Sequence, residues 1–167
     1  MTGGWYVVRT KTGAEERAVW HLKNQGFEAY LPRYRKQIRH ARKTQTVLRP
    51  LFPGYVFVSM DIGKQRWRAI NGTMGVISLV QFGDEPRPIP AAMVDAIRMR
   101  EDGAGAIDVA PAGLKKGDRV RVREGAFAEY TALLEEVSDQ KRVVLLLDLM
   151  GRAVRLSVPA ESLAKAT

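Results

Sequence analysis

The chain has no cysteine in its 167 residues. That excludes disulfides, thiolate metal sites and a cysteine nucleophile, and it fits a reducing compartment. There are only two histidines, His21 and His40, and no glycine-rich phosphate loop, nucleophile elbow or metal-ligand spacing. No apolar run is long enough to span a membrane; the longest is the five residues Val143 to Leu147. The opening MTGGWYVVRT lacks a basic segment followed by an apolar one. These absences lead us to expect a cytoplasmic binding protein that is not an enzyme, needs no cofactor or metal and does not engage a membrane.

Acidic residues are scarce in one half of the chain. Residues 1–100 hold 17 Lys/Arg against 7 Asp/Glu, whereas residues 101–167 hold 10 against 11, which together give the net +9. A polyanion would therefore be sought by the N-terminal half. Seven cations, Arg33, Arg35, Lys36, Arg39, Arg42, Lys43 and Arg49, succeed one another with no acid between them. Such a run gains by lying near phosphate, and we expect it to be a loop or protruding hairpin.

The most informative stretch, Leu51-Phe52-Pro53-Gly54-Tyr55-Val56-Phe57-Val58, lies directly after that run. Pro53-Gly54 signals a turn. The strand after it places Tyr55 and Phe57 on one face and Val56 and Val58 on the other. Further strands are expected at Trp5–Thr10, Phe27–Leu31 and Val76–Phe82. A helix is expected from about Ala14 to Gln25, opened by a Thr12/Glu15 capping box and stopped at Gly26. Trp67–Ile70 suggests a short helix, and Ala91–Arg100 a longer one with Met93, Val94 and Ile97 at helical spacing. This mixture implies an α+β fold, an α/β sandwich around an antiparallel sheet.

A break in composition at residues 101–116, rich in Gly and Ala, reads as a linker between a domain of residues 1–100 and a small unit of residues 117–167. In that unit, alternating Arg and Val over Gly117–Gly125 gives a strand signal. Phe127, Tyr130, Leu134 and Val137 have helical spacing instead, and Val143–Leu149 fits either a buried strand or a helix.

Several of these motifs, in this order, resemble the NusG family of transcription elongation factors. They are Trp5-Tyr6-Val7-Val8, Gly26-Phe27-Glu28-Ala29-Tyr30, Leu51-Phe52-Pro53-Gly54-Tyr55-Val56-Phe57-Val58, Gly75-Val76, and Gly117-Asp118-Arg119-Val120 with Glu124-Gly125-Ala126-Phe127. The last of these and Leu145–Leu149 look nearest to the specialised RfaH-like paralogues. The resemblance implies an N-terminal NusG-type domain, a linker and a C-terminal KOW domain folded as a small β-barrel, with a helical hairpin as the lesser alternative. It implies a monomeric factor that binds RNA polymerase across its DNA cleft, keeps the clamp closed, reduces pausing and contacts non-template or upstream DNA. A ribosomal protein or termination factor would be the partner of the KOW domain.

By the same resemblance, Tyr55, Phe57, Phe82, Val94 and Ile97 would receive the polymerase clamp, and Arg66, Trp67 and Arg68 would make a second polymerase contact. Lys11, Arg17, His21 and Thr73 would meet non-template DNA, with Arg39, Arg42 and Lys43 near upstream DNA. Met74 stands where the RfaH-like paralogues usually carry arginine. Those paralogues also join their domains through a carboxylate–arginine pair whose positions are Arg49 and Arg142 here. Two arginines would repel, so the expectation is a barrel that leaves the clamp-binding face open. The rival reading, a KOW-type RNA-binding or ribosome-associated protein, would place basic charge on the C-terminal unit, where the balance is −1.

Overall fold

The structure is a computed structural model that describes residues 3–107, 109 and 138–155. The strand expected over Gly117–Gly125 and the helical spacing of Phe127–Val137 lie outside the described residues. The chain runs through β1 (Gly4–Thr10), α1 (Glu15–Asn24), β2 (Glu28–Tyr30), β3 (Arg33–His40), β4 (Lys43–Pro50) and β5 (Tyr55–Met60). A 3-10 helix (Trp67–Gly72) then leads to β6 (Val76–Leu79), β7 (Gln81–Phe82), β8 (Glu85–Pro86), α2 (Ala91–Arg98) and α3 (Asp139–Arg155).

The main sheet has the order β2-β5-β1-β6, all antiparallel, with β1 and β5 at its centre. Because side chains alternate along a strand, the two central strands sort their residues onto opposite faces. Trp5, Val7 and Phe57 enter one cluster; Tyr6, Val8, Val56 and Val58 enter the other. α1 covers the second face with Ala18 and Leu22, helped by Ile70 of the 3-10 helix. α2 covers the first face with Met93, Val94 and Ile97. The expected α+β architecture with an antiparallel sheet is what the chain adopts.

Pro53-Gly54 makes the expected turn. The Tyr55 amide donates to the Phe52 carbonyl at 3.0 Å, and Gly54 has φ +86°. Proline followed by a positive-φ glycine is the sequence a type II turn requires. Glu15, expected in a capping box, does something else. α1 begins after Ala14 with no side-chain cap, and the buried Glu15 carboxylate accepts the Gly54 N–H at 2.7 Å. The glutamate thus ties the start of α1 to the turn, which is why it is unavailable to its own helix. The helix ends as expected, with the Gly26 and Phe27 amides donating back to Lys23 and Leu22.

The basic run is a hairpin. β3 and β4 pair from Arg33↔Pro50 to His40↔Lys43, and beyond Ile38 and Val47 its distal residues are exposed on both faces. Residues 101–107, the first part of the expected linker, form a turn docked on this hairpin. Arg35 N–H donates to the Ile107 carbonyl at 3.1 Å, and Ile107 N–H donates to Arg33 at 2.9 Å. Asp102 pairs with Arg35 and accepts the Ala104 and Ala106 amides, which holds its carboxyl down at about 2.

The larger correction concerns Asp139–Arg155. Expected within a β-barrel, it is a 17-residue helix, the lesser of the two alternatives. Its stripe of Val143, Leu146, Leu147 and Met150 recurs at i, i+3, i+4 and i+7, the period of a helix with one buried face. Leu146 and Met150 are buried in the Phe57 cluster.

Gly75 has φ +87°, and a Cβ there would stand 3.3 Å from both the Ala14 carbonyl oxygen and the Ala18 amide nitrogen. Gly75→Ala should therefore cost roughly 1–2 kcal/mol or more in urea unfolding. Gly72→Ala, where nothing lies within 4 Å, should change stability by less than about 0.5 kcal/mol. Equal effects would contradict the close packing of this loop on α1.

Candidate polymerase-binding face and nucleic-acid interface

The five expected clamp residues come together. Phe57, Val94 and Ile97 are buried in one cluster, and Tyr55 and Phe82 pack against it half-buried. They are also covered. Leu146 and Met150 of α3 belong to the same cluster, and Val143, Leu145, Leu147 and Leu149 pack against it.

One end of α3 is fixed by polar contacts. Arg142 is 1% exposed, and its guanidinium donates to the Leu51 carbonyl at 2.9 Å and to Asp139 Oδ1 at 3.0 Å. It also lies over the Tyr34 ring, 4.8 Å from its centroid. The Tyr34 hydroxyl completes the group by donating to Asp139 Oδ1 at 2.8 Å. A buried guanidinium is tolerated only when paired and hydrogen-bonded, and here its own helix supplies the carboxylate one turn away. The expectation that Arg49 would repel Arg142 and keep the face open is overturned. Arg49 is exposed on β4, and the Arg142 charge is met by Asp139 instead.

Tyr30 of β2 also holds this face. Its ring stacks on Phe57 at 6.3 Å between centroids, and its hydroxyl donates to Glu101. Arg98 of α2 lies 4.6 Å above the Tyr30 ring and 5.0 Å above Trp5. Burial, then the bond to Glu101, raises the Tyr30 phenol well above its ordinary range.

On the other side of the sheet, Lys11, Arg17, His21 and Thr73 are gathered around α1. Lys11 N–H donates to the Gly75 carbonyl at 2.9 Å, which fixes the turn before the helix against the loop at residues 73–75. Thr73 is buried; its hydroxyl donates to the Ala69 carbonyl and accepts from Gln25 at 2.8 Å. Its side chain therefore positions the loop. Met74, between these anchors, is 60% exposed. Lys11 and Arg17 are exposed, and among the described residues no ion pair engages either. Arg39, Arg42 and Lys43 stand apart from this group, at the exposed hairpin tip. Arg66 and Arg68 are exposed at the start of the 3-10 helix, with Arg68 4.4 Å above the half-buried Trp67 ring.

The family profile described as "Transcription termination factor nusG" matches residues 3–98, the sheet with α1, α2 and the hairpin. The chain belongs to the NusG family. The "Transcription termination/antitermination protein NusG" of Deinococcus radiodurans is 31% identical over 192 residues, covering 99% of this chain and 100% of the relative. That of Thermus thermophilus is 27% identical over 187 residues, with the same coverage. A solved structure described as "Domain interaction in Thermotoga maritima NusG" aligns at 24% identity and a TM-score of 0.40, over 57% of this chain and 55% of that one. Membership places the chain among the transcription termination/antitermination factors. Among the described residues, no helix of this NusG-family chain is long and apolar enough to cross a membrane.

The α3 contacts were legible only in part. The three-four spacing of Val143–Met150 and the i, i+3 pair Asp139/Arg142 are present in the sequence. Nothing in it indicates that Tyr34, within a basic run, would meet them.

Burial first, then the bond to Asp139 and its charge, raise the Tyr34 phenol, while Arg142 acts in the opposite sense. A pKa raised in the docked state means that the stabilisation is complete below the free phenol's value of 10.0 and is lost as pH rises through the docked one. As pH rises above about 10, amide-exchange protection of α3 should fall, and Tyr34→Phe should show a smaller fall than the parent. Identical profiles would contradict the Tyr34 contact.

Proposed function

We propose that the chain is an RfaH-like transcription elongation and antitermination factor whose Phe57 face binds the RNA polymerase clamp. On this reading its N-terminal domain, residues 1–100, bridges the DNA cleft, holds the clamp closed and reduces pausing in the cytoplasm. Arg66, Trp67 and Arg68 face the far side of the cleft. Lys11, Arg17 and His21 approach non-template DNA, and Arg39, Arg42 and Lys43 on the hairpin approach upstream duplex. Residues 117–167 form the second domain, which in its barrel form would be free to meet a ribosomal protein or termination factor.

The observation that carries the proposal is the covering of Phe57, Val94 and Ile97 by Leu146 and Met150. An apolar face of this kind is a good anchor for a helical partner, because aromatic and branched side chains bury large areas with little entropy loss. An intramolecular helix in the same place competes with that partner. The described state is then the closed one, and polymerase binding requires α3 to leave. Burying Leu146 alone contributes on the order of 2 kcal/mol to closure.

The test is a pair of substitutions in the full chain. Leu146→Asp places a charge in the apolar cluster, so it should release α3 and raise affinity for core RNA polymerase by tenfold or more. Phe57→Ala should weaken polymerase binding in the Leu146→Asp background. A Leu146→Asp chain that binds polymerase no better than the parent would sink the closed-state reading, and an inert Phe57→Ala would sink the assignment of the face.

A further inference from the structure

Trp20 is the exposed aromatic for which the packing gives no reason. It is 62% exposed, on the solvent side of α1, while Ala18 and Leu22 on the other side fill the core. Arg17, Trp20, His21 and Asn24 recur at i, i+3, i+4 and i+7, so they line one face of the helix. The Trp20 and His21 rings touch edge to face, with centroids 4.8 Å apart and planes at 90°. That contact restricts the Trp20 side chain before any ligand arrives, which lowers the entropy cost of binding on it.

The surroundings are cationic. Arg17 and Lys23 flank the tryptophan on the helix, and Lys11 lies in the preceding turn. One side of Trp20 borders a surface cleft of about 420 Å³ whose lining includes Lys23, Tyr30, Leu31 and Arg33. The two carboxylates in that lining are engaged. Glu16 pairs with Arg33 at 2.9 Å, and Glu101 accepts the Tyr30 hydroxyl.

We infer that Trp20 is a stacking platform for one unpaired nucleobase, with His21 beside it as a hydrogen-bonding ring and Arg17 and Lys23 on the neighbouring phosphates. The inference rests on the proposal that the α1 face meets nucleic acid and adds the residue that would hold a base. A flat, sequence-tolerant ring beside cations is how single strands are gripped without base-specific hydrogen bonds. It also gives this chain a base contact that does not need an arginine at Met74. α1 and α3 cover opposite faces of the sheet, so the platform is open while α3 is docked.

The experiment is fluorescence anisotropy on the full chain with a labelled mixed-sequence DNA strand of about 12 nucleotides, the same sequence as RNA, and the DNA duplex. Trp20→Ala should weaken single-strand binding roughly fivefold or more, leave the salt slope unchanged and leave duplex binding unchanged. Trp20→Phe should retain most of the affinity. Arg17→Ala should weaken all ligands and reduce the salt slope by about 1. The tighter of the DNA and RNA arms identifies the source of the base. If Arg17→Ala weakens binding and Trp20→Ala does not, stacking is overturned while the nucleic-acid face stands. If the parent binds no single strand, or Arg17→Ala changes nothing, the face itself is overturned, and the stacking inference with it.

Discussion

The sheet face that carries Val7 and Phe57 has to be covered. The alternation along β1 and β5 assigns Trp5, Val7 and Phe57 to one side, and no choice of rotamer moves them to the other. α2 is eight residues long and brings Met93, Val94 and Ile97. The rest of that face is met by α3, which arrives from the far end of the chain with Leu146 and Met150. Burial of apolar area is non-directional, so it accepts any helix of the right shape. A cover from within the chain and a cover from a partner are therefore alternatives of similar kind. The proposed function rests on that competition.

Polar contacts select where α3 sits. A burial term alone would let the helix slide or rotate on the apolar face. Arg142 prevents this, because a nearly fully buried guanidinium must find its acceptors or cost several kcal/mol. It finds the Leu51 carbonyl, Asp139 and the Tyr34 ring in one arrangement. Leu51 immediately precedes the Phe52–Tyr55 turn, so the latch and the start of β5 share a backbone segment. Glu15 reaches the same turn from α1 through the Gly54 amide. The turn is thus where the two sides of the sheet are tied together. On the α1 side, Lys11 and Arg17 are exposed with α3 docked.

Much of the N-terminal fold was legible because its signals are local. Alternation marks β1 and β5, the proline–glycine pair marks the turn, and three-four spacing marks α1 and α2. The seven-cation run reads as a loop or hairpin and is a hairpin. The misses came where a residue answers to a distant partner. Glu15 looks like a capping residue until Gly54 is seen beside it. Gly103 and Gly105 look like linker until Asp102 is seen pairing with Arg35. Arg142 looks repulsive toward Arg49 until the Leu51 carbonyl and the Tyr34 ring, both far away in the chain, are seen beside it. For Val143–Leu149, a run of apolar residues fits strand and helix alike, and the surface it packs against decides. The five residues that the resemblance sets side by side do share one cluster. Trp20 was not singled out, since only the structure shows which side of α1 is wet.

Docking of α3 is tested most directly by methyl NMR on the free full-length chain, with Leu and Met methyls labelled. A closed state predicts cross-relaxation from the Leu146 and Met150 methyls to the Phe57 and Trp5 rings, together with helical carbon shifts over residues 139–155. Those contacts should be lost when core RNA polymerase is added. Strand-type shifts over residues 139–155 with no contact to Phe57, or contacts that persist unchanged in the polymerase complex, would contradict it.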